Sequence, residues 1–145
     1  MEKYVFVLLA ALGGLCMGFQ PPVNSALSKF TGIIESSCIS FTVGALALFI
    51  LSLIFGKGSL LNFMEAPKFL LIGGLLGATV VTVTIFAIPK IGSLAMVTAV
   101  IFGQMLAALF IDKIGFLGLP AHPITWTRIL GITLMLAGLR FVLVK

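Results

Sequence analysis

The stretch MGFQPPVNSALSKF, Met17 to Phe30, follows an apolar run that begins at Tyr4, and its placement decides how many helices the chain has. If a helix ended at the prolines, Val5–Phe19 would supply 15 residues, roughly 22 Å against a hydrocarbon core of about 30 Å. Such a helix would stop inside lipid. Carried on to Lys29 it has 25 residues, about 37 Å, enough to cross with some tilt. Length therefore places Gln20-Pro21-Pro22-Val23-Asn24 within the first span, toward its far end.

Composition says what surrounds that span. The 145 residues are 61% hydrophobic and only 9% charged, with a mean hydropathy of +1.30. About a quarter of a soluble domain is charged, so this chain could not cover its own surface in water. The formal charge of +5 is carried by basic residues of which no two are adjacent. Single charges between apolar runs mark membrane surfaces and argue against a nucleic-acid partner. Cys16 and Cys38 both fall in apolar segments and read as small packing residues. A cleaved signal peptide is not expected: the first run passes into Pro-Pro without a small-residue cleavage site, and the rest is equally apolar.

Breakers and charges divide the chain into five spans, about residues 4–29, 33–55, 69–88, 93–111 and 126–144. No barrel-like alternation is present, so the expected fold is all-α: one integral membrane domain of five transmembrane helices. Threading the spans back and forth puts Lys3, Lys57, Lys68, Lys113 and Arg128 on one side and Lys29, Lys90, Arg140 and Lys145 on the other. Cytoplasmic loops normally collect Lys and Arg, so five against four predicts insertion in both orientations. Tyr4 and Trp126 begin spans and read as interfacial anchors. Gly14 with Gly18, Gly73 with Gly77, and Gly103 with Ala107 have the spacing of helix-contact seams.

The polar residues inside the spans carry the functional reading. Pro21 and Pro22 lack N–H groups, so the carbonyls of Met17 and Gly18 lose their usual donors and the helix is expected to break or kink there. Gln20 and Asn24 lie one turn apart on the same side. Two readings stand side by side: a kink that the two amides satisfy, or a substrate site at a discontinuous helix of the kind transporters use. Ser40 in the second helix and Gln104 in the fourth are the candidate opposite walls of a pathway. Thr79, Thr82 and Thr84 weigh little, because threonine can bond its own helix backbone. Glu35 and Asp112 are the acids available for ion coupling, although both lie near span ends, where water or Lys113 could solvate or pair them. His122, between two prolines, reads as a loop residue. No nucleophile–base pair or metal-ligand spacing is visible, so neither catalysis nor a metal or other cofactor is expected.

The core Gln20-Pro21-Pro22-Val23-Asn24-Ser25 resembles the first helix of the YdcZ-like family of short membrane proteins in the drug/metabolite transporter superfamily. Ser40-Phe41-Thr42-Val43-Gly44, Gly73-Gly74-Leu75-Leu76-Gly77, Gly103-Gln104 with Ile111-Asp112-Lys113-Ile114-Gly115, and Gly131 with Ala137-Gly138 follow in the family's order. The resemblance implies a five-helix half of an inverted-repeat transporter in the bacterial cytoplasmic (inner) membrane. It further implies that a lone half needs a partner, either a second copy in an antiparallel homodimer or an oppositely oriented homologous subunit. The related small multidrug resistance family carries a glutamate deep in its first helix, where Gln20 and Asn24 stand here. The expected function is export of a small organic solute by alternating access. The alternative is a non-transporting assembly or lipid-interacting subunit.

Overall fold

A computed structural model of the chain describes residues 2–143. Val144, where the last span was expected to end, and Lys145 lie outside the described residues, as do the side chains of Glu2 and Lys3. Five helices follow in order: α1 (Glu2–Thr31), α2 (Ile33–Phe55), α3 (Ile72–Ile91), α4 (Ser93–Ile114) and α5 (Trp126–Leu143). All five are long and apolar enough to cross a membrane, the third when the short 3-10 turn at Lys68–Leu71 is counted with it. The chain is an all-α membrane protein.

Local chemistry explains where the helices stop. Helix α1 runs through Pro21 and Pro22 without a gap in its helical assignment. The prolines therefore strip donors from a continuous helix and do not break it. Helix α3 likewise passes the expected stop at Ile88 and continues through Pro89 to Ile91; Pro89 removes one amide, while those of Lys90 and Ile91 remain able to donate. Helix α4 reaches Ile114, beyond the expected Ile111, and ends where Gly115 turns left-handed and donates its amide to the Ile111 carbonyl at 3.0 Å.

A single residue, Gly32, joins α1 to α2. Its backbone lies at φ 100° and ψ 163°, a region that residues with a Cβ essentially never occupy. A Cβ there would also overlap the Glu35 carboxylate, which folds back over the turn. Glu35 is itself exposed and sits in the first turn of α2, where a negative charge complements the helix dipole.

Contacts divide the chain into two units, residues 1–90 and 91–145. Within the first, α1 packs closely on α2; within the second, α4 packs on α5. The distribution of polarity is inverted relative to a water-soluble protein. The buried apolar residues are Val81, Ile85, Ala95 and Met96, whereas Asn24, Ser25, Ser36, Ser37 and Thr84 are buried polar ones. The helix surfaces, by contrast, expose large apolar side chains such as Phe30 at 89% and Phe141 at 79%. In lipid such surface costs nothing, and polar groups gather where the protein can satisfy them.

Two sequence expectations change at this level. Cys16 and Cys38 are free and exposed, so they contribute to the outer helix surface and not to packing. Of the expected small-residue seams, Gly77 is the one whose position closes on a neighbour within its unit: a Cβ there would approach the Phe41 ring of α2 to 3.2 Å. A Cβ at Gly14, Gly18 or Gly73 would meet nothing within 4 Å. Trp126 is 81% exposed at the start of α5, as an interfacial anchor requires. Lys90 places its Nζ 4.0 Å over the Phe86 ring, one turn back on α3.

Candidate functional site

The polar cluster of the first unit is built where the Gly32 turn brings the start of α2 against the end of α1. Ser36 is fully buried and its hydroxyl donates to the Asn24 carbonyl across the hairpin at 2.8 Å. Ser37, also buried, donates to the Ile33 carbonyl of its own helix at 3.0 Å. Its oxygen in turn accepts a hydrogen bond from Thr82 of α3 at 3.0 Å. The Thr82 hydroxyl shares its proton with the Ala78 carbonyl at 2.9 Å. Asn24, Ser36, Ser37 and Thr82 thus connect three helices through side-chain oxygen atoms and one backbone carbonyl.

One member of the cluster is left over. Asn24 is 5% exposed, and its amide nitrogen Nδ2 is buried with no hydrogen-bond partner among the described residues. Leaving a buried amide donor unpaired costs about 1–3 kcal/mol, which is why most such groups in proteins are satisfied. The Nδ2 group can donate two hydrogen bonds, and it sits in the helix whose prolines already free the carbonyls of Met17 and Gly18. Donors and acceptors therefore stand close along one stretch of α1. That arrangement can hold a hydrogen-bonding solute without a charged side chain.

The other sequence candidates distribute unevenly. Gln20 lies one turn before Asn24 on α1 and is exposed. Ser40 is half-buried on α2, one turn beyond Ser36. Gln104 belongs to the second unit and is exposed on α4. Ser36 and Thr82 were missed by sequence reasoning. Thr82 does bond its own helix, as threonines in membranes do, but the same hydroxyl also crosses to Ser37. The available signal was the Ser36-Ser37 doublet inside the first turn after Gly32, because a one-residue turn forces flanking residues into contact.

The acids also resolve differently from one another. Glu35 makes no salt bridge among the described residues. Asp112 does: its Oδ2 accepts from Arg128 Nη1 at 2.9 Å, with both side chains 40% exposed. The partner is Arg128 at the start of α5, not the adjacent Lys113. The Asp112 carbonyl meanwhile accepts from the His122 amide at 2.7 Å, which folds the intervening loop back against α4. His122 is a loop residue, and its contribution is this backbone contact.

Comparison with known proteins adds one finding. The model of a family described as "Putative inner membrane exporter, YdcZ" matches residues 5–141, nearly the whole chain, and the chain belongs to that family. With five helices able to span a bilayer, it is an integral inner-membrane protein. No curated protein and no solved structure matches it.

Proposed function

We propose that this member of the YdcZ inner-membrane exporter family is a secondary transporter that moves a small organic solute out of the cell, working as an antiparallel dimer by alternating access. The observation that carries the reading is the buried, unpartnered Nδ2 of Asn24 within a polar cluster of an otherwise apolar membrane chain. A polar group retained inside a membrane helix at a cost in stability marks a candidate functional site, as an ionisable one does more strongly. Asn24 supplies the donor, the carbonyls freed by Pro21 and Pro22 supply acceptors, and Gln20, Ser40 and Gln104 extend the pathway. The solute is neutral or hydrogen-bonding, because no charged side chain belongs to the cluster.

Support for the dimer comes from the near balance of basic residues on the two faces and from the open glycine positions Gly14, Gly18 and Gly73 on α1 and α3. An inverted pair places two copies of the site about one axis, and rocking of the pair exposes it to either side in turn. Coupling to an ion falls to Glu35, because the Asp112 carboxylate is already held by Arg128.

The deciding experiment replaces Asn24 with Leu, which has the same side-chain branching and no hydrogen-bonding group. Solute efflux from reconstituted vesicles is then compared with cross-linking yield between copies. Loss of efflux with assembly intact supports the reading. Intact efflux, or loss of both together, assigns Asn24 to structure and removes the basis for the site.

A further inference from the structure

Helices α4 and α5 enclose a second feature, independent of the polar cluster. A crevice of about 250 Å³ opens between them, with an apolar floor of Met105, Ala108, Leu109, Gly131 and Ile132 and with the Asp112–Arg128 pair at its rim. The pair stands near the last residues of α4 and the first residues of α5, at the level where the spans meet the headgroups. Trp126, a residue type favoured at that level, begins α5 two positions earlier.

The ion pair is only partly satisfied. Its single 2.9 Å contact uses one guanidinium N–H and the Oδ2 oxygen. A guanidinium has five N–H donors, and a carboxylate can accept several hydrogen bonds, so Oδ1 and the remaining donors are open to a ligand. The rim therefore offers a cation and an anion side by side, beside an apolar groove. A ligand that completes both must carry an anionic group, a cationic N–H donor and an apolar tail.

We propose that the α4–α5 crevice is a binding site for a phospholipid whose headgroup combines a phosphate with a primary ammonium. The phosphate takes the free N–H groups of Arg128, a planar donor set well matched to phosphate oxygens. The ammonium donates to Asp112 Oδ1, and an acyl chain lies along Leu109, Gly131 and Ile132. A choline headgroup has no N–H to donate. A glycerol headgroup leaves the lipid with a net negative charge facing Asp112. The site thus discriminates by hydrogen-bond chemistry and not by charge alone.

Trp126 is the only tryptophan in the chain and stands two residues before Arg128, so its quenching reads lipid at this end of α5. The purified protein is reconstituted into phosphatidylcholine vesicles containing increasing fractions of a brominated lipid with an ethanolamine, a choline or a glycerol headgroup, and tryptophan quenching is measured. The ethanolamine lipid is expected to associate roughly two- to fivefold more strongly than the choline lipid, the range of half-exposed charge contacts. Asp112→Asn is expected to erase that ratio. Gly131→Leu adds bulk to the crevice lining and removes neither charge, and its Cβ meets nothing within 4 Å; it too is expected to bring the ratio to one. The exchange of Asp112→Arg with Arg128→Asp keeps a pair and is expected to keep the preference, which separates loss of the site from loss of folding. Equal quenching by all three lipids overturns the proposal, as does a preference that survives Gly131→Leu. Displacement by water-soluble glycerophosphoethanolamine at matched concentration also overturns it, because the crevice then takes a free solute.

Discussion

The chain makes the same tight turn twice, sixty residues apart, and fills the two turns differently. Gly32 joins α1 to α2 at φ 100° and ψ 163°; Gly92 joins α3 to α4 at φ 80° and ψ 162°. In each, the fourth residue after the glycine donates its amide back to the glycine carbonyl, Ser36 at 3.0 Å and Met96 at 3.1 Å. The helix before each turn also buries the same positions: Pro21, Asn24 and Ser25 in α1, then Val81, Thr84 and Ile85 in α3. Beyond the turns, Ser36 and Ser37 are buried in α2, and Ala95 and Met96 in α4. The backbone device is repeated, whereas the chemistry placed on it is not. Past the Gly92 turn the buried positions of α4 are the apolar Ala95 and Met96, where α2 has Ser36 and Ser37. The polarity is concentrated around Gly32, which is where the proposed solute site lies.

The comparison can be broken first at the glycines. Alanine at either position must adopt a backbone conformation that costs about 1–3 kcal/mol. Gly32→Ala is expected to be the worse of the two, since the Glu35 carboxylate must also move, while a Cβ at Gly92 meets nothing within 4 Å. Unfolding of the purified variants in mixed detergent micelles ranks them. Equal losses would mean that Glu35 yields freely and contributes nothing to the first turn.

A sharper test replaces each of the equivalent residues Asn24 and Thr84 by an apolar one. The Thr84 hydroxyl already donates to the Val81 carbonyl at 2.9 Å, so it has no donor left to offer a solute. Thr84→Val is expected to leave efflux unchanged, whereas Asn24→Leu lowers it roughly fivefold, the worth of about one hydrogen bond. Comparable losses in vesicle efflux from both variants would show that the two turns share one role.

The smallest expected effect is at the bond between α2 and α3. Thr82→Val removes the donor to Ser37 and is expected to cost about 0.6 kcal/mol, the typical worth of an interhelical hydrogen bond in membranes. Ser36→Ala, which removes the bond to the Asn24 carbonyl, falls in the same range. The micelle unfolding assay resolves both, and a loss well beyond that range would assign the cluster to holding helices together.

Much of the fold was legible without coordinates. Apolar length set the number of helices, because a bilayer demands about 20 residues per crossing and leaves few other solutions. The same arithmetic placed Gln20, Pro21, Pro22 and Asn24 inside the first span, and the order of its motifs pointed to the family. These are properties of one segment read against a uniform solvent. What the tertiary structure decided concerns pairs. Asn24 meets Ser36, Ser37 meets Thr82, and Asp112 meets Arg128 across a loop, and each depends on distances that segment length does not encode. Thr82 shows the limit most plainly: its own-helix hydrogen bond was predictable from residue type, but only packing of α3 on α2 could supply Ser37 as a second acceptor. The sequence by itself determined that this is a five-helix membrane chain with polar residues to account for. Which of them are buried, and which one is left without a partner, was settled by helix packing, because satisfaction of a polar group is a property of its neighbours.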